Sequence, residues 1–314
     1  MSMAMKSHLF WTHNKRNYGI KLRFEKGGRE EARKGGRERM EEVYVESETS
    51  GSLNTTGHKV WPAAEHLFKW LAASSSGGLG GLGDSRSLGE RAYGLVFRNG
   101  EERKRAKHDG VRILELGSGT GWLGLSLARN VLNLTEICLT ERREGLDFLK
   151  KNVDRYVLSR KEEDKRKESV KLKPTQEEEA DGLITVCECD WEEGCCDYLI
   201  PKKKSDADTR RCWDLVIGSD LIYESSGCRH LPLIWRALLE SSSNDNSITT
   251  VLYCHTKRRY EDLDYQLFDM IEELGMTYTE EVDNEADERS PSPPPYSEAF
   301  PEQRIAIFRI SLNQ

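Results

Sequence analysis

Several short clusters in this 314-residue chain carry side chains able to bind or react. The densest is Glu115-Leu-Gly117-Ser118-Gly119-Thr-Gly121-Trp122, an acid followed by alternating glycines. Glycine at such spacing lets the backbone turn tightly and approach a ligand closely, where a Cβ would obstruct both. Roughly 20 residues further on, Thr140-Glu141 ends an apolar run. An ionised carboxylate there offers paired acceptor oxygens, the complement of two ribose hydroxyls. The competing reading is a first-turn acid of the following helix. Asp190-Trp191 sets an aromatic ring, able to stack on a purine, beside an acid able to accept from an exocyclic amine; a packed core tryptophan is the alternative. Ser219-Asp220-Leu-Ile-Tyr223 pairs an acid and a phenol that could orient an incoming amine. A helix N-cap with a packing tyrosine would look the same.

Two ligands compete for the glycine loop. A dinucleotide fingerprint, G-x-G-x-x-G, needs its third glycine at position 122, and Trp122 there would crowd the helix against the sheet. The observed G-x-G-x-G after Glu115 is the pattern of S-adenosylmethionine-dependent methyltransferases, whose ligand lacks phosphate but has a charged amino-acid end. A structural turn with no ligand is the third reading. Enzymes that methylate base or glutamine amide nitrogens usually carry two prolines after the acid of the fourth strand. Here Leu221 and Ile222 stand in their place. That disfavours a planar amine and suits one entering through a narrow channel.

These clusters need elements to hold them. Val111–Leu116, Ile137–Thr140, Leu183–Cys187, Asp214–Ser219 and Ile248–Tyr253 read as strands. Trp122–Asn130, Gly145–Leu158, His230–Glu240 and Tyr260–Leu274 show helical apolar spacing. Apolar strands separated by helices predict a parallel sheet covered on both faces. Ile305–Ile310 reads as a late strand antiparallel to Met276–Glu281. The fold class is therefore α/β, doubly wound and Rossmann-like, its sheet mostly parallel. Its ligand is expected at the carboxyl ends of the strands, where every cluster falls. Residues 74–89 are Gly/Ser-rich, 159–180 almost wholly charged and 283–295 Pro-rich; all three read as disordered, low-complexity insertions without a face to bury. The remaining organisation is an N-terminal extension over 1–42, partly disordered, and one domain over 43–314.

Charge and composition exclude several classes. A formal charge of −7 gives no general attraction for a polyanion, so a nucleic-acid partner is not expected. No apolar run is long enough for a membrane span. Residues 1–24 are basic and free of acids, as in an organellar transit peptide, but the acid-rich 25–50 region argues for the cytoplasm, with the nucleus as a second compartment. Of eight cysteines, Cys187, Cys189, Cys195 and Cys196 cluster. Their C-x-C plus adjacent-pair spacing is not that of zinc knuckles, so no metal is expected.

Gly57-His-Lys-Val-Trp61-Pro-Ala-Ala-Glu-His-Leu, the Glu115 loop, Thr140-Glu141, Asp190-Trp191 and Ser219-Asp220-Leu-Ile-Tyr223 occur in this order. Together they resemble the seven-β-strand protein-lysine methyltransferases of methyltransferase family 16, over about residues 43–310. The resemblance implies a class I methyltransferase with a seven-stranded sheet and S-adenosylmethionine as cofactor. The implied partner is a protein substrate, relatives acting on heat-shock chaperones, an AAA ATPase (valosin-containing protein), translation elongation factors and calmodulin. By the same resemblance Trp61, Glu115, Gly117, Ser118, Gly119, Glu141, Asp190, Trp191 and Ser219 would contact the cofactor, with Asp220 and Tyr223 at the transferred methyl and the amine. The ribose acid is usually Asp, and Ser219 is often Ala in the family. A histidine acceptor, a nucleic-acid or small-molecule substrate, and a non-catalytic interaction protein retaining the cofactor fold stay open at this point.

Overall fold

The computed structural model describes residues 10–11, 20–21, 43–46, 59–75, 95, 97, 110–170, 183–194, 199–200, 212–244, 248–256, 261–281 and 304–313. Five strands run parallel: β1 (Val111–Leu116), β2 (Leu134–Glu141), β3 (Leu183–Glu188), β4 (Leu215–Ser219) and β5 (Thr250–Thr256). β6 (Met276–Glu281) and β7 (Ile305–Leu312) complete the sheet, β7 running antiparallel to both β5 and β6. The seven strands lie in the order 3-2-1-4-5-7-6. The chain starts in the middle at β1, steps outward to β3, then returns to β4 on the other side. That reversal opens a crevice at the carboxyl ends of β1 and β4, the position where a doubly wound sheet binds ligands.

Helices α1 (Pro62–Ser75), α2 (Trp122–Asn130) and α3 (Arg143–Val170) cover one face; α4 (Ser225–Asn244) and α5 (Glu261–Glu273) cover the other. β1 shows why both faces are apolar: Ile113 packs under α1–α3, while Leu114 and Leu116 pack under α4 and α5. Each such side chain taken from water is worth ~1.5–3 kcal/mol. Among the described residues no helix is long and apolar enough to cross a membrane. A two-residue antiparallel ladder, Phe10–Trp11 with Ile20–Lys21, lies apart from the sheet.

The expected strands and helices are present, with ends displaced by a few residues. Two segments differ more. The Val-Trp-Pro-Ala-Ala stretch opens α1, a helix that the apolar spacing did not reveal. Pro62 suits the first helical position, where no N–H is needed, and Ala63, Leu67, Phe68 and Leu71 bury one face over β4, β5 and β7. The second correction concerns 159–180, expected to be an unstructured insertion. α3 runs through its first half to Val170. Leu149, Val153 and Tyr156 anchor the helix in the core, and elongation from a packed nucleus is cheap for Lys, Arg and Glu. Tertiary contacts also reach the segment: Arg160 is buried and Glu163 ion-pairs with Arg129 of α2. Residues 171–180, 283–295 and all of 74–89 beyond Ser75 lie outside the described residues, as does nearly all of 1–42.

Candidate active site

The turn after β1 is built as its glycines imply. Gly117, Gly119 and Gly121 all have positive φ, 59°, 55° and 79°. A Cβ on Gly117 would lie 2.7 Å from Leu221 Cδ2 and 3.4 Å from Trp191 Cζ2. The loop is thus pinched between the residues that follow β3 and β4. β2 fixes it from the other side: Ser118 N donates to Thr140 O at 2.7 Å, and Gly119 N donates to Glu141 Oε2 at 2.6 Å. Glu141 Oε1 accepts from its neighbour, Arg142 N, at 3.0 Å. Position alone suggests a carboxylate at a solvent-facing cleft with little structural duty. Instead Glu141 clamps the loop, and burial pushes its carboxyl above the ordinary range despite the two N–H donors.

A cavity of about 350 Å³ opens at this point, within the usual size of small-molecule sites. Glu115, Gly117, Ser118 and Gly119 line it, as do Trp61, Glu141, Trp191, Ser219, Asp220 and Tyr223. Asp190 is the one expected site residue that does not line it. Asp190 Oδ1 accepts from Glu192 N at 3.0 Å, closing the turn after β3, and Oδ2 lies 3.8 Å from Arg142 Nε. The short aspartate is held by its own turn, so only the tryptophan of the pair faces the cavity. Cys187 and Cys189, two residues apart, both pack against the α4–α5 core, as strand spacing predicts; Cys195 and Cys196 lie outside the described residues.

Asp220 occupies a strained position, with φ 51°, in a region that Asp tolerates better than most residues. Its carboxylate bridges to the end of β5: Oδ1 accepts from Thr256 N at 2.8 Å and Oδ2 from Thr256 Oγ1 at 2.9 Å. Asp220 N donates to Cys254 O at 2.9 Å. This latch fixes the carboxylate where it lines the cavity. Tyr223 is 44% exposed at the mouth, its phenol beside the Arg142 guanidinium.

Arg142 is a site residue that sequence reasoning missed. Its Nη1 donates to Glu224 Oε1 at 3.2 Å, and its Nε lies 3.8 Å from Glu144 Oε2. One guanidinium therefore ties together the segments following β2, β3 and β4. The only signal for it in the sequence was its place beside Glu141. Trp122, whose bulk argued against a dinucleotide, is buried edge-on to Phe68 at 5.8 Å and lines the cavity.

These residues fit S-adenosylmethionine better than a pyrophosphate. The cradle at Gly117 admits backbone-close contact. The indole nitrogens of Trp122 and Trp191 are buried with no acceptor among the described residues. The lining bases are Lys59, which lies over the Trp61 ring at 3.7 Å, and Arg142, already committed to acids. The lining acids Glu115, Glu141, Glu144, Asp220 and Glu224 outnumber the two bases, an environment for a cationic ligand end.

Residues 41–173 match the family model described as lysine methyltransferase. No curated protein matches the chain. Among solved structures, the human methyltransferase 10 domain containing protein is similar at 14% identity, covering 81% of this chain and 84% of its own, with a TM-score of 0.40. A putative O-methyltransferase from Klebsiella pneumoniae is 12% identical over 82% of this chain and 92% of its own, TM-score 0.35. The O-methyltransferase from Bacillus cereus in complex with SAH is 11% identical over 81% and 92%, TM-score 0.36. The fold rests on the strand order itself. The strand order is that of the class I methyltransferase, Rossmann-like fold, and residues 41–173, less than half of the chain, resemble the lysine methyltransferase family.

Proposed function

We propose that this protein transfers a methyl group from S-adenosylmethionine to a lysine side chain of a protein substrate. The observation that carries the reading is the cavity at the β1–β4 crossover, lined by the glycine loop and opening beside Asp220 and Tyr223. The bound cofactor supplies an activated methyl on a sulfonium. Trp61, Trp191, Ser219 and the Gly117–Gly119 backbone would hold the adenosine and methionyl parts, and Glu141 the ribose hydroxyls.

The protein's own work is alignment and charge. Holding the amine in line with the methyl turns a bimolecular step into an effectively unimolecular one. A free lysine amine titrates near 10.4, so only about one molecule in a thousand is neutral at pH 7.4, a penalty of roughly 4 kcal/mol. Glu144, Asp190 and Glu224 around Arg142 leave the mouth net acidic, which draws a cationic side chain inward. Asp220, latched to Thr256, would orient the amine, and Tyr223, beside Arg142, would direct the nitrogen lone pair. The described cysteines in the reduced state suit a cytoplasmic or nuclear protein.

The test is incubation of purified enzyme and isotopically labelled S-adenosylmethionine with a cell lysate, followed by mass spectrometry. Label on a protein lysine is the expected result. Label on RNA or a small molecule, on histidine, or nowhere would overturn the lysine assignment.

A further inference from the structure

Glu115 has a setting unlike the other acids of the cavity. It is 2% exposed, yet it lines the cavity. Oε2 accepts from Gly124 N at 3.1 Å, inside the first turn of α2. Space for it exists only because residue 124 is glycine: a Cβ there would lie 2.5 Å from Oε2 and 2.2 Å from Leu139 Cδ2. The Ser118 hydroxyl is its other polar neighbour. No basic side chain forms an ion pair with it among the described residues.

The surrounding charges do not rescue an anion at that place. Glu141 from β2 stands on the other side of the loop, hydrogen-bonded to Gly119, and opposes a second negative charge. From α2 only Trp122 and Leu123 reach the cavity, neither ionisable. α3 contributes Glu144 and β3 leads to the thiol of Cys189. After β4 stand Asp220, Tyr223 and Glu224. The two cations, Lys59 before α1 and Arg142 after β2, are placed over Trp61 and among Glu144, Asp190 and Glu224 respectively. A buried carboxyl without a counter-charge stays neutral rather than ionise. Burial accordingly pushes Glu115 up to about 8.

We infer that Glu115 carries a proton in the free protein and releases it when the cationic methionyl end of the cofactor binds, making cofactor capture a proton-coupled exchange. The inference rests on the S-adenosylmethionine reading. The balance is simple: the carboxyl O–H bond breaks, the proton leaves to solvent, and the carboxylate left behind meets the ammonium of the ligand. Cation and proton compete for one buried carboxylate, so affinity should rise with pH up to about 8 and level off above it. A ligand that lacks the amino-acid end leaves the proton in place. Glu115 thereby selects for the whole cofactor against its neutral breakdown products.

Calorimetry with S-adenosylhomocysteine at pH 7, in buffers of different ionisation enthalpy, counts the protons. Wild type should release about nine-tenths of a proton more than Glu115→Gln, the fraction carried by a group titrating at about 8. The dissociation constant for wild type should fall by up to roughly tenfold per pH unit below that point. 5′-Methylthioadenosine, which has no amino-acid end, should bind wild type without this release. An infrared difference spectrum of wild type should lose a protonated-carboxyl band on binding S-adenosylhomocysteine, which tests the idea even if the Gln variant does not fold. Equal proton counts for wild type and variant, the same release with 5′-methylthioadenosine, or an unchanged carboxyl band would overturn the inference and leave the cofactor reading standing. Failure of S-adenosylhomocysteine to bind at all would overturn both.

Discussion

Removing the Glu141 side chain should damage the protein in two separable ways. In Glu141→Ala, Gly119 N and Arg142 N lose their carboxylate acceptors, now 2.6 and 3.0 Å away. Arg142 stands at the open mouth, so its N–H recovers a water. Gly119 N lies beneath the loop and recovers less. An unsatisfied buried donor costs about 1–3 kcal/mol, and relief of a carboxyl whose ionisation burial opposes offsets part of it. A net loss of about 1–2 kcal/mol would lower Tm by roughly 2–8 °C for a domain of this size. On the proposed function, cofactor binding should suffer more, because the loop is released and the ribose would lose a charged acceptor. One such hydrogen bond is worth about 1.5–3 kcal/mol, or about 10- to 150-fold in affinity. Thermal melting of the free protein and calorimetric titration with S-adenosylhomocysteine read the two effects. Gly145→Ala provides a check from the other side, since its Cβ would lie 2.7 Å from Glu141 Cγ. Helix propensity alone would favour that change by about 1 kcal/mol, so weakened binding there points to displacement of Glu141. A Glu141→Ala protein that melts and binds like wild type would refute the clamp.

Asp220→Asn should keep the fold, because Asn tolerates positive φ and its amide can still serve Thr256 N and Oγ1. Methyl transfer to the identified substrate should nevertheless drop by orders of magnitude while S-adenosylhomocysteine affinity stays within a few-fold; a wild-type rate would reduce Asp220 to a latch between β4 and β5. Deleting 171–180 should leave melting unchanged, since this mostly polar run has little apolar surface to bury. Deleting 159–180 should destabilise by about 1–2 kcal/mol, as Arg129 loses Glu163, a pair whose side chains are 9% and 42% exposed. Equal melting temperatures for the two deletions would show that the end of α3 contributes nothing.

Sequence alone determined the alternation of apolar strands and amphipathic helices, the loop after Leu116, and the clustering of cavity-lining residues at strand ends. Those features are local: period, glycine spacing and apolar runs are written within a few residues of where they act. What the acids do was decided only in three dimensions. Glu141 is bound to Gly119, 22 residues earlier, and Asp220 to Thr256, 36 residues later, through strands that pair across the sheet. Arg142 became a hub because the ends of β2, β3 and β4 meet there. Asp190 was turned out of the cavity by its own turn. The charged run after Leu158 looked unable to fold because its stabilising partner, Arg129, lies on another helix. Glu115 shows the division most plainly. Its place before the glycines was legible, but burial without a counter-charge follows from how β1, β2 and α2 close around it, and no pattern of neighbours in the chain encodes that.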